Sequence, residues 1–537
     1  MVKKLAQLTR LPVYPYLVAM FPVLYVFSQN IGLTNVATVW LPLLIVLILT
    51  SVTWALFHKI FKDKHKSGIL AAILMLMTLT YGQLYAATDQ VLLFGYELHK
   101  HRYIMAACIL TFILVSWVLK SVSRSSAAKF GKMAGVGSLL LFLMPTITLL
   151  ASYQQSENST HPDQANFIEK YKQATDTSAV APPDVYYFIL DGYGREDILR
   201  DRLGFDNSVF ISELEKRGFY VAKKSHSNYS QSLLSITSSL SMNYLQELAP
   251  PSEHTVSMLH SILKHNSVVN NFKRLGYKTV NNNSGYDFTR IVSTDLTLSP
   301  DFSFTELDNA VYANSVVPYL FNNDFTVKSI TSGKLGFIQS YMYEQHREKV
   351  KMGLTEPRTL QIDSKKPVMA FIHVLLAHPP FVFDSSGAPV TPNAPFSLVL
   401  THKFTDKKAY TDYFTKGYTN QVIYGNKELL KTIDAIQKRK GRQSVIILQG
   451  DHGPWTKPSY DDMDAAGYSQ RMSILNAMYF PDSEAHRGLY PEISPVNTFR
   501  FVFNHYFGAN YTLLPDKMFY SAYEQRFNYY DVTDTIK

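Results

Sequence analysis

The feature that most constrains this chain is a series of five apolar runs in its first third. They are Leu11–Ser28, Val39–Phe57, Gly68–Ala87, Tyr103–Leu119 and Met133–Ala151, and none of them contains Asp, Glu, Lys or Arg. Each run is about long enough to cross a ~30 Å hydrocarbon core as a helix. A cleaved signal peptide would explain only the first run, and soluble cores rarely produce five such runs in series. The sequence therefore predicts a five-helix transmembrane domain over residues 1–152.

Basic residues between these runs predict the orientation of the helices. They precede the first run, separate the second from the third, and separate the fourth from the fifth: Lys3, Lys4, Arg10; Lys59, Lys62, Lys64, Lys66; Lys120, Arg124, Lys129, Lys132. With Asp63 as their only acid, these segments carry a charge of +10, against a net charge of +9 for the whole chain. The remainder is nearly neutral, so nucleic-acid binding loses its main support. The positive-inside rule places the basic loops in the cytoplasm. Five crossings from a cytoplasmic N-terminus then put the rest of the chain on the exoplasmic side of a bacterial cytoplasmic membrane.

The remaining two thirds of the sequence predict a linker and one large domain. Residues 153–183 are polar and end in Ala-Pro-Pro-Asp, which is typical of a linker. Residues 184–537 alternate short β-forming runs with amphipathic helical stretches. The runs Val185–Leu190, Pro367–Leu376 and Ser444–Leu448 have the continuous apolar character of buried strands. This alternation predicts an α/β domain with a largely parallel central sheet.

Three of these predicted strands end in residues suited to a metal site. The first ends at Asp191, the second near His373 and His378, and the third at Asp451-His452, which glycines flank. In parallel sheets, active sites collect beyond the carboxyl ends of the strands. Two carboxylates and an imidazole suit Mn²⁺, Zn²⁺ or Mg²⁺.

A fourth candidate is Ser232, which lies at the expected N-cap of a helix that continues through Leu233–Leu240. A hydroxyl in that position faces free backbone N–H groups and the positive end of the helix dipole, an environment that favours phosphate. Ser230 and Ser235 are close competitors. On this segment alone, a simple capping role for Ser232 stays open.

The order of these residues resembles the alkaline phosphatase/sulfatase superfamily. Asp191 is followed some forty positions later by a hydroxyl residue, then by a histidine before Pro-Pro-Phe, then by Gly-Asp-His-Gly. Together with the N-terminal apolar runs, the pattern looks like the membrane-bound branch, which includes lipoteichoic acid synthases, phosphoglycerol transferases and phosphoethanolamine transferases. The specific motifs lie within residues 191–455, whereas the architecture covers essentially the whole chain.

The resemblance implies a role for each matching residue. Asp191, Asp451 and His452 would bind a divalent metal, and Ser232 would be both a metal ligand and the nucleophile, a position that is usually Thr in this branch. His378 would hydrogen-bond the phosphoryl oxygens. Three further residues are weaker candidates for substrate contact: Arg195, His373 and Trp455. For these the alternatives are a surface arginine, an ordinary strand residue and a packed tryptophan.

The number and position of cysteines reduce the set of reactions that the resemblance implies. The only cysteine, Cys108, lies inside an apolar run, so formylglycine chemistry of the sulfatase type is disfavoured. Related phosphoethanolamine transferases usually carry disulfides in the outward domain, and this domain has no cysteine. The expectation is therefore a transferase that moves phosphoglycerol or a similar group from a phospholipid donor to an envelope glycan. A hydrolase using the same site and a non-catalytic membrane scaffold are the alternatives.

Overall fold

The structure is a computed structural model, and it describes most of the chain. The described residues are 12–29, 36–88, 92–93, 96–97, 101–158, 182–253, 255–291, 293–300, 304–321, 336–360, 366–392, 396–398, 407–456, 464–523 and 525–536. The chain divides into two compact units. The first, here the membrane unit, comprises 1–158, 304–342 and 393–397; the second, here the sheet unit, comprises the rest.

Eighteen α-helices are present in the described residues. In chain order they are α1 (Tyr14–Gln29), α2 (Trp40–Phe61), α3 (Lys64–Leu79), α4 (Tyr81–Ala87), α5 (His101–Ser121), α6 (Arg124–Asn158), α7 (Glu196–Leu203), α8 (Ser208–Lys216), α9 (Ser232–Ser241), α10 (Leu245–Leu248), α11 (Val256–Lys264), α12 (Ser267–Arg274), α13 (Glu306–Asn314), α14 (Gly336–Thr355), α15 (Lys407–Gln437), α16 (Ala465–Met472), α17 (Pro495–Phe507) and α18 (Thr533–Ile536).

Eleven short strands are found in the same residues. They are β1 (Leu92–Leu93), β2 (Tyr96–Glu97), β3 (Asp184–Leu190), β4 (Phe219–Val221), β5 (Lys278–Asn282), β6 (Leu296–Leu298), β7 (Val368–Val374), β8 (Ser444–Gly450), β9 (Asn476–Tyr479), β10 (Phe519–Tyr520) and β11 (Tyr530–Asp531).

The five predicted apolar runs fold as helices, but not all of these helices are long enough to cross a membrane alone. Three spans qualify among the described residues: Ala37–Phe61, His101–Ser121 and Arg124–Ala151. Helices α3 and α4 qualify only as a pair bent by 60°, which would make a fourth. Helix α1 has 16 residues and contains Pro22; at 1.5 Å per residue it measures about 24 Å, less than the ~30 Å core. The structure thus supports a membrane protein with three or four apolar spans, and five spans are not confirmed.

The membrane unit also includes a segment from much later in the chain. Helix α13 packs against α1, α3 and α4, and the Val316 N–H that follows it donates to the Thr78 carbonyl at 2.7 Å. This bond lies next to the bend between α3 and α4. The predicted linker, 153–183, falls largely outside the described residues, although α6 continues to Asn158.

The centre of the sheet unit is a seven-stranded sheet in the order β4-β9-β8-β3-β7-β5-β6. The five strands from β8 to β6 are mutually parallel, and β9 runs antiparallel to both of its neighbours. The prediction of an α/β domain with a largely parallel sheet is therefore confirmed. Strands β3, β7 and β8 are buried along their whole length, as expected for parallel strands that are covered on both faces.

The main core lies against one face of this sheet. Alternate residues of β3 (Val185, Tyr187 and Ile189) belong to it, because successive side chains on a strand point to opposite faces. Buried side chains of α9, α11, α12 and α17 cover them. Helix α9, which begins at Ser232, is held against α11 and α17. The core therefore fixes the position of the helix that carries the candidate nucleophile.

Candidate active site

Adjacent parallel strands bring the two candidate carboxylates together. In the β3–β8 ladder Leu190 pairs with Gly450, so Asp191 and Asp451 follow the strands side by side. Asp451 Oδ1 accepts hydrogen bonds from the Gly192 and His452 backbone N–H groups, each at 2.9 Å. Both aspartates are fully buried. The turn after each strand thus holds a carboxylate inward at the end of the sheet.

The backbone requires glycine at two of the flanking positions: Gly192 because of its conformation, and Gly453 because of a close contact. Gly192 has φ +73°, a conformation that residues with a side chain rarely adopt. A Cβ at Gly453 would lie 2.1 Å from the Gln470 carbonyl oxygen. The sequence prediction that these glycines allow tight turns agrees with this geometry.

Ser232 reaches this site from the start of α9. The helix begins one position earlier than expected, because Gln231 occupies the N-cap and Ser232 is the first helical residue. The Ser232 Oγ lies 3.4 Å from Asp191 Oδ2 and 3.1 Å from His452 Nε2. The hydroxyl of Ser232 therefore faces the carboxylate pair.

The two competing serines have other partners. The Ser230 Oγ donates to the Ser521 carbonyl at 3.3 Å. The Ser235 Oγ lies 3.2 Å from the Ser227 Oγ. These contacts favour Ser232 over both as the candidate nucleophile.

His373 lies on β7, the strand on the other side of β3, and belongs to the same cluster. Its Nε2 is 3.3 Å from Asp191 Oδ2. Its Nδ1 lies 3.0 Å from the Thr289 hydroxyl and 3.1 Å from the Ser284 hydroxyl. These two hydroxyls fix the ring, so His373 is part of the site rather than an ordinary strand residue.

The cluster has the donor set of a divalent metal site. One ligand atom each from Asp191, His373 and Asp451 lies within 4.8 Å of the others. Asp191 Oδ1 and Asp451 Oδ2 are buried and have no hydrogen-bond partner among the described residues; the nearby His452 Nε2 is 3.8 and 3.5 Å from them. Buried carboxylate oxygens without such partners are costly unless a cation compensates them. The residues present therefore fit a bound divalent metal.

Burial and neighbouring charges shift the pKa values of three residues of this site. Burial and the neighbouring charge of Asp191 raise the pKa of Asp451 to about 6. Burial opposes ionisation of Asp191 as well, but the charge of His378 and the hydrogen bond from His373 lower its pKa below the usual range. Burial, assisted by Arg471, lowers the pKa of His452 to about 3, so this imidazole is neutral at pH 7. A neutral imidazole and an ionised carboxylate are the forms that bind metals.

His378 follows β7, and a tyrosine holds its ring. Its Nε2 lies 3.0 Å from the Tyr286 hydroxyl. The Tyr286 ring stacks on His373 with centroids 6.2 Å apart. Tyr286 therefore links the predicted phosphoryl-binding histidine to the histidine beside Asp191.

The other two weaker candidates, Arg195 and Trp455, have different surroundings. Arg195 pairs with Asp197 through two contacts of 2.7 and 2.9 Å and lines a cavity of about 150 Å³ with Arg200 and Lys223. Trp455 is 2 % exposed, and its carbonyl accepts a hydrogen bond from the Tyr410 hydroxyl at 3.4 Å. This burial agrees with the packed-tryptophan alternative.

Sequence reasoning missed three residues of this site: Tyr286, Thr289 and Arg471. Tyr286 and Thr289 lie at the two ends of a short 3-10 helix after β5, in a segment that carries no periodic signal. The Arg471 guanidinium is buried and donates to the Ser230 and Gly453 carbonyls at 2.8 and 3.2 Å. It thereby connects the segment before Ser232 to the turn after His452. The one available signal in the sequence was the polar run Asn-Asn-Asn-Ser-Gly, residues 281–285.

Comparison with known proteins found similar structures but no similar sequences. No protein-family model and no curated protein matches the chain. Among solved structures, the C-terminal periplasmic domain of EcEptC from Escherichia coli, in complex with Zn, has a TM-score of 0.40 at 11% identity, covering 63% of this chain and 85% of that one. Lipooligosaccharide phosphoethanolamine transferase A from Neisseria meningitidis, an integral membrane protein, has a TM-score of 0.36 at 11% identity, covering 92% and 94%. A protein of the alkaline phosphatase superfamily from Vibrio parahaemolyticus has a TM-score of 0.35 at 10% identity, covering 65% and 74%.

The sheet and the site bring the candidate metal ligands together at the ends of adjacent parallel strands. Asp191, Ser232 and the Asp451-His452 pair lie together in the chain order that the sequence resemblance required.

Proposed function

We propose that this protein is a membrane-anchored, metal-dependent transferase. It moves a phospho-substituent, phosphoglycerol or a similar head group, from a phospholipid to a hydroxyl of an envelope glycan. The observation that carries the proposal is the Ser232 hydroxyl, which lies 3.4 Å from Asp191 and 3.1 Å from His452 beside two buried carboxylate oxygens. A scaffold would gain nothing from burying those carboxylates.

The reaction proceeds in two displacements at Ser232. In the first, the Ser232 oxygen forms a bond to the donor phosphorus, the bond from phosphorus to the diacylglycerol oxygen breaks, and diacylglycerol leaves carrying a proton. In the second, a glycan hydroxyl attacks the same phosphorus and releases Ser232 with its proton restored. His378, held by the Tyr286 hydroxyl, binds the phosphoryl oxygens in both steps.

The metal site belongs to the same proposal. Asp191, Asp451, His452 and Ser232 would hold the ion, with His373 beside them. When bound, a divalent metal offsets negative charge on phosphoryl oxygens and on the attacking hydroxyl. Mn²⁺, Zn²⁺ and Mg²⁺ are the candidates.

The cellular setting is proposed from the loops and the chemistry. The sheet unit lies on the exoplasmic side of a bacterial cytoplasmic membrane, and the basic loops lie inside. Donor head groups are available at the surface of that membrane, which makes anchoring useful. The similar solved structures include phosphoethanolamine transferases, so ethanolamine and glycerol head groups are both donors to test.

Mass spectrometry of the full chain tests this function. The purified protein is incubated with labelled phosphatidylglycerol or phosphatidylethanolamine, with and without envelope glycans. We expect diacylglycerol release, a phospho-substituent on Ser232 and its transfer to glycan. Head-group release to water at the same rate, with or without glycan, would instead identify the hydrolase. Absence of donor cleavage in the metal-loaded protein would contradict both.

A further inference from the structure

The two carboxylate oxygens of Asp191 have different surroundings, and this difference bears on the role of His373. Asp191 Oδ1 is buried and has no hydrogen-bond partner among the described residues. Asp191 Oδ2 lies 3.3 Å from His373 Nε2 and 3.4 Å from the Ser232 Oγ. One oxygen of this carboxylate is therefore available to a cation, and the imidazole of His373 contacts the other.

Four ligand atoms can complete a metal site without His373. His452 Nε2 lies 3.1 Å from Ser232 Oγ, 3.5 Å from Asp451 Oδ2 and 3.8 Å from Asp191 Oδ1. Tetrahedral ligands that bind Zn²⁺ at ~2.0–2.2 Å are about 3.4 Å from one another, which falls within this range of separations. These four atoms can therefore surround one ion, whereas His373 Nε2 lies beside the oxygen of Asp191 that is not among them.

The hydrogen bonds around the His373 ring all agree with one tautomer. A carboxylate oxygen can only accept, so the Nε2 atom that faces Asp191 carries the proton and donates the hydrogen bond. Nδ1 then accepts from the hydroxyl of Ser284 or of Thr289, at 3.1 and 3.0 Å. The Ser284 Oγ itself accepts from the Tyr286 N–H at 3.2 Å, so its own proton can be donated to Nδ1.

The neighbouring strand and an aromatic ring fix the position of His373. The Asn282 side chain, at the end of β5, accepts from the His373 N–H and donates to the His373 carbonyl, each at 2.8 Å. The imidazole is fully buried and stacks on Tyr286. Because backbone and ring are both held, Nε2 is presented to Asp191 in one orientation.

We propose that His373 is a positioning residue for the metal site and not one of its ligands. Its Nε2–H group holds Asp191 Oδ2, so that Oδ1 is directed toward the ion. Ser284 and Thr289 select the tautomer in which this donation is possible. Partners of this kind, which bind a ligand rather than the metal, typically change metal affinity by ~10–100-fold. The inference rests on the proposed function, because it concerns the metal site of that proposal.

Mn²⁺ binding by the full chain in detergent micelles tests the inference. Pulsed electron paramagnetic resonance detects the nitrogen of each imidazole bound to Mn²⁺, and competition with a fluorescent chelator gives the dissociation constant. The variants are His373→Gln, whose amide keeps an N–H donor, His373→Leu, which keeps none, and His452→Gln. The control is His505→Gln, which removes an imidazole that pairs with Asp482 at 2.9 Å outside the site.

We expect one bound imidazole in the natural protein, unchanged in His373→Gln and lost in His452→Gln. His373→Leu should weaken Mn²⁺ binding at least about tenfold, and His373→Gln should recover part of that loss. His505→Gln should leave the dissociation constant unchanged. Two bound imidazoles in the natural protein, one of them lost in His373→Gln, would make His373 a ligand and overturn the inference even if His373→Leu fails to fold.

A double-mutant cycle tests the part played by the two hydroxyls. Ser284→Ala combined with Thr289→Val should weaken Mn²⁺ binding in the natural protein and much less in the His373→Leu background, because the hydroxyls act through the imidazole. Equal weakening in both backgrounds would refute that part. One bound imidazole without diacylglycerol release from phospholipid would reject the proposed transferase and leave the positioning role of His373 intact.

Discussion

Ser232, the proposed nucleophile, is the residue on which the proposed chemistry depends most. Ser232→Ala removes the only hydroxyl among the competing serines that faces Asp191 and His452, so we expect turnover to fall by about a thousandfold. Ser232→Thr keeps a hydroxyl and retains part of the activity. Turnover is measured as diacylglycerol release. Ser230→Ala is the matched control, because Ser230 contacts Ser521 instead. Equal losses in Ser230→Ala and Ser232→Ala would refute the assignment.

At the same scale, we expect Asp451 to make the stability of the fold depend on metal binding. A buried carboxyl with a pKa raised to about 6 destabilises the metal-free fold once it ionises, and its neutral form does not. Between pH 4 and 6 this penalty grows with pH, reaching about 3 kcal/mol above pH 6. Without metal at pH 7.5, Asp451→Asn should therefore melt at a higher temperature than the natural protein. With metal we expect the order of the melting temperatures to reverse, because the variant has lost a proposed metal ligand. The expected gain in melting temperature disappears at pH 4. Scanning calorimetry of both proteins at pH 4 and pH 7.5 measures it.

At the scale of elements, the turn after β8 is fixed by contact with the end of α16. Gly453 leaves no room for a Cβ, which would meet the Gln470 carbonyl oxygen at 2.1 Å. We expect Gly453→Ala to displace the turn that carries His452, to lower the free energy of unfolding by about 3 kcal/mol and to weaken metal binding. Gly204→Asn is the control, since Gly204 ends α7 in the left-handed conformation with open space around it. Unchanged metal affinity in Gly453→Ala, by titration, would show that the turn adapts.

At the scale of the whole molecule, the number of crossings decides where the sheet unit lies. The basic loops predict that reporters fused at Lys62 and Lys129 are cytoplasmic and that a reporter at residue 160 is exoplasmic. This requires both α1 and the bent α3–α4 pair to cross, although α1 has only 16 residues. Reporter activity in cells measures the side of each position. An even number of crossings before residue 153 would place the sheet unit in the cytoplasm and contradict the proposed setting.

The parts of the fold that the sequence predicted are those with local signals. Strands β3 and β8 are continuous apolar runs, and each ends at an aspartate next to glycine, so their pairing at the sheet's carboxyl end was foreseeable. Ser232 was foreseeable as a helix start. Tyr286 and Arg471 were not, because their roles depend on contacts with residues far away in sequence, such as His378 and Ser230. The return of α13 to the membrane unit had no local signal either.

The pairing of Leu190 with Gly450 has an evolutionary consequence. Two residues that follow paired positions of adjacent strands are held apart by the interstrand spacing of about 4.8 Å, so an insertion or deletion inside β3 or β8 would separate Asp191 from Asp451. Insertions in the segment after β5 that carries Tyr286 leave that ladder unchanged. Descendants of this protein can therefore lengthen their peripheral loops, while the pair of buried carboxylates is inherited with the register of two strands.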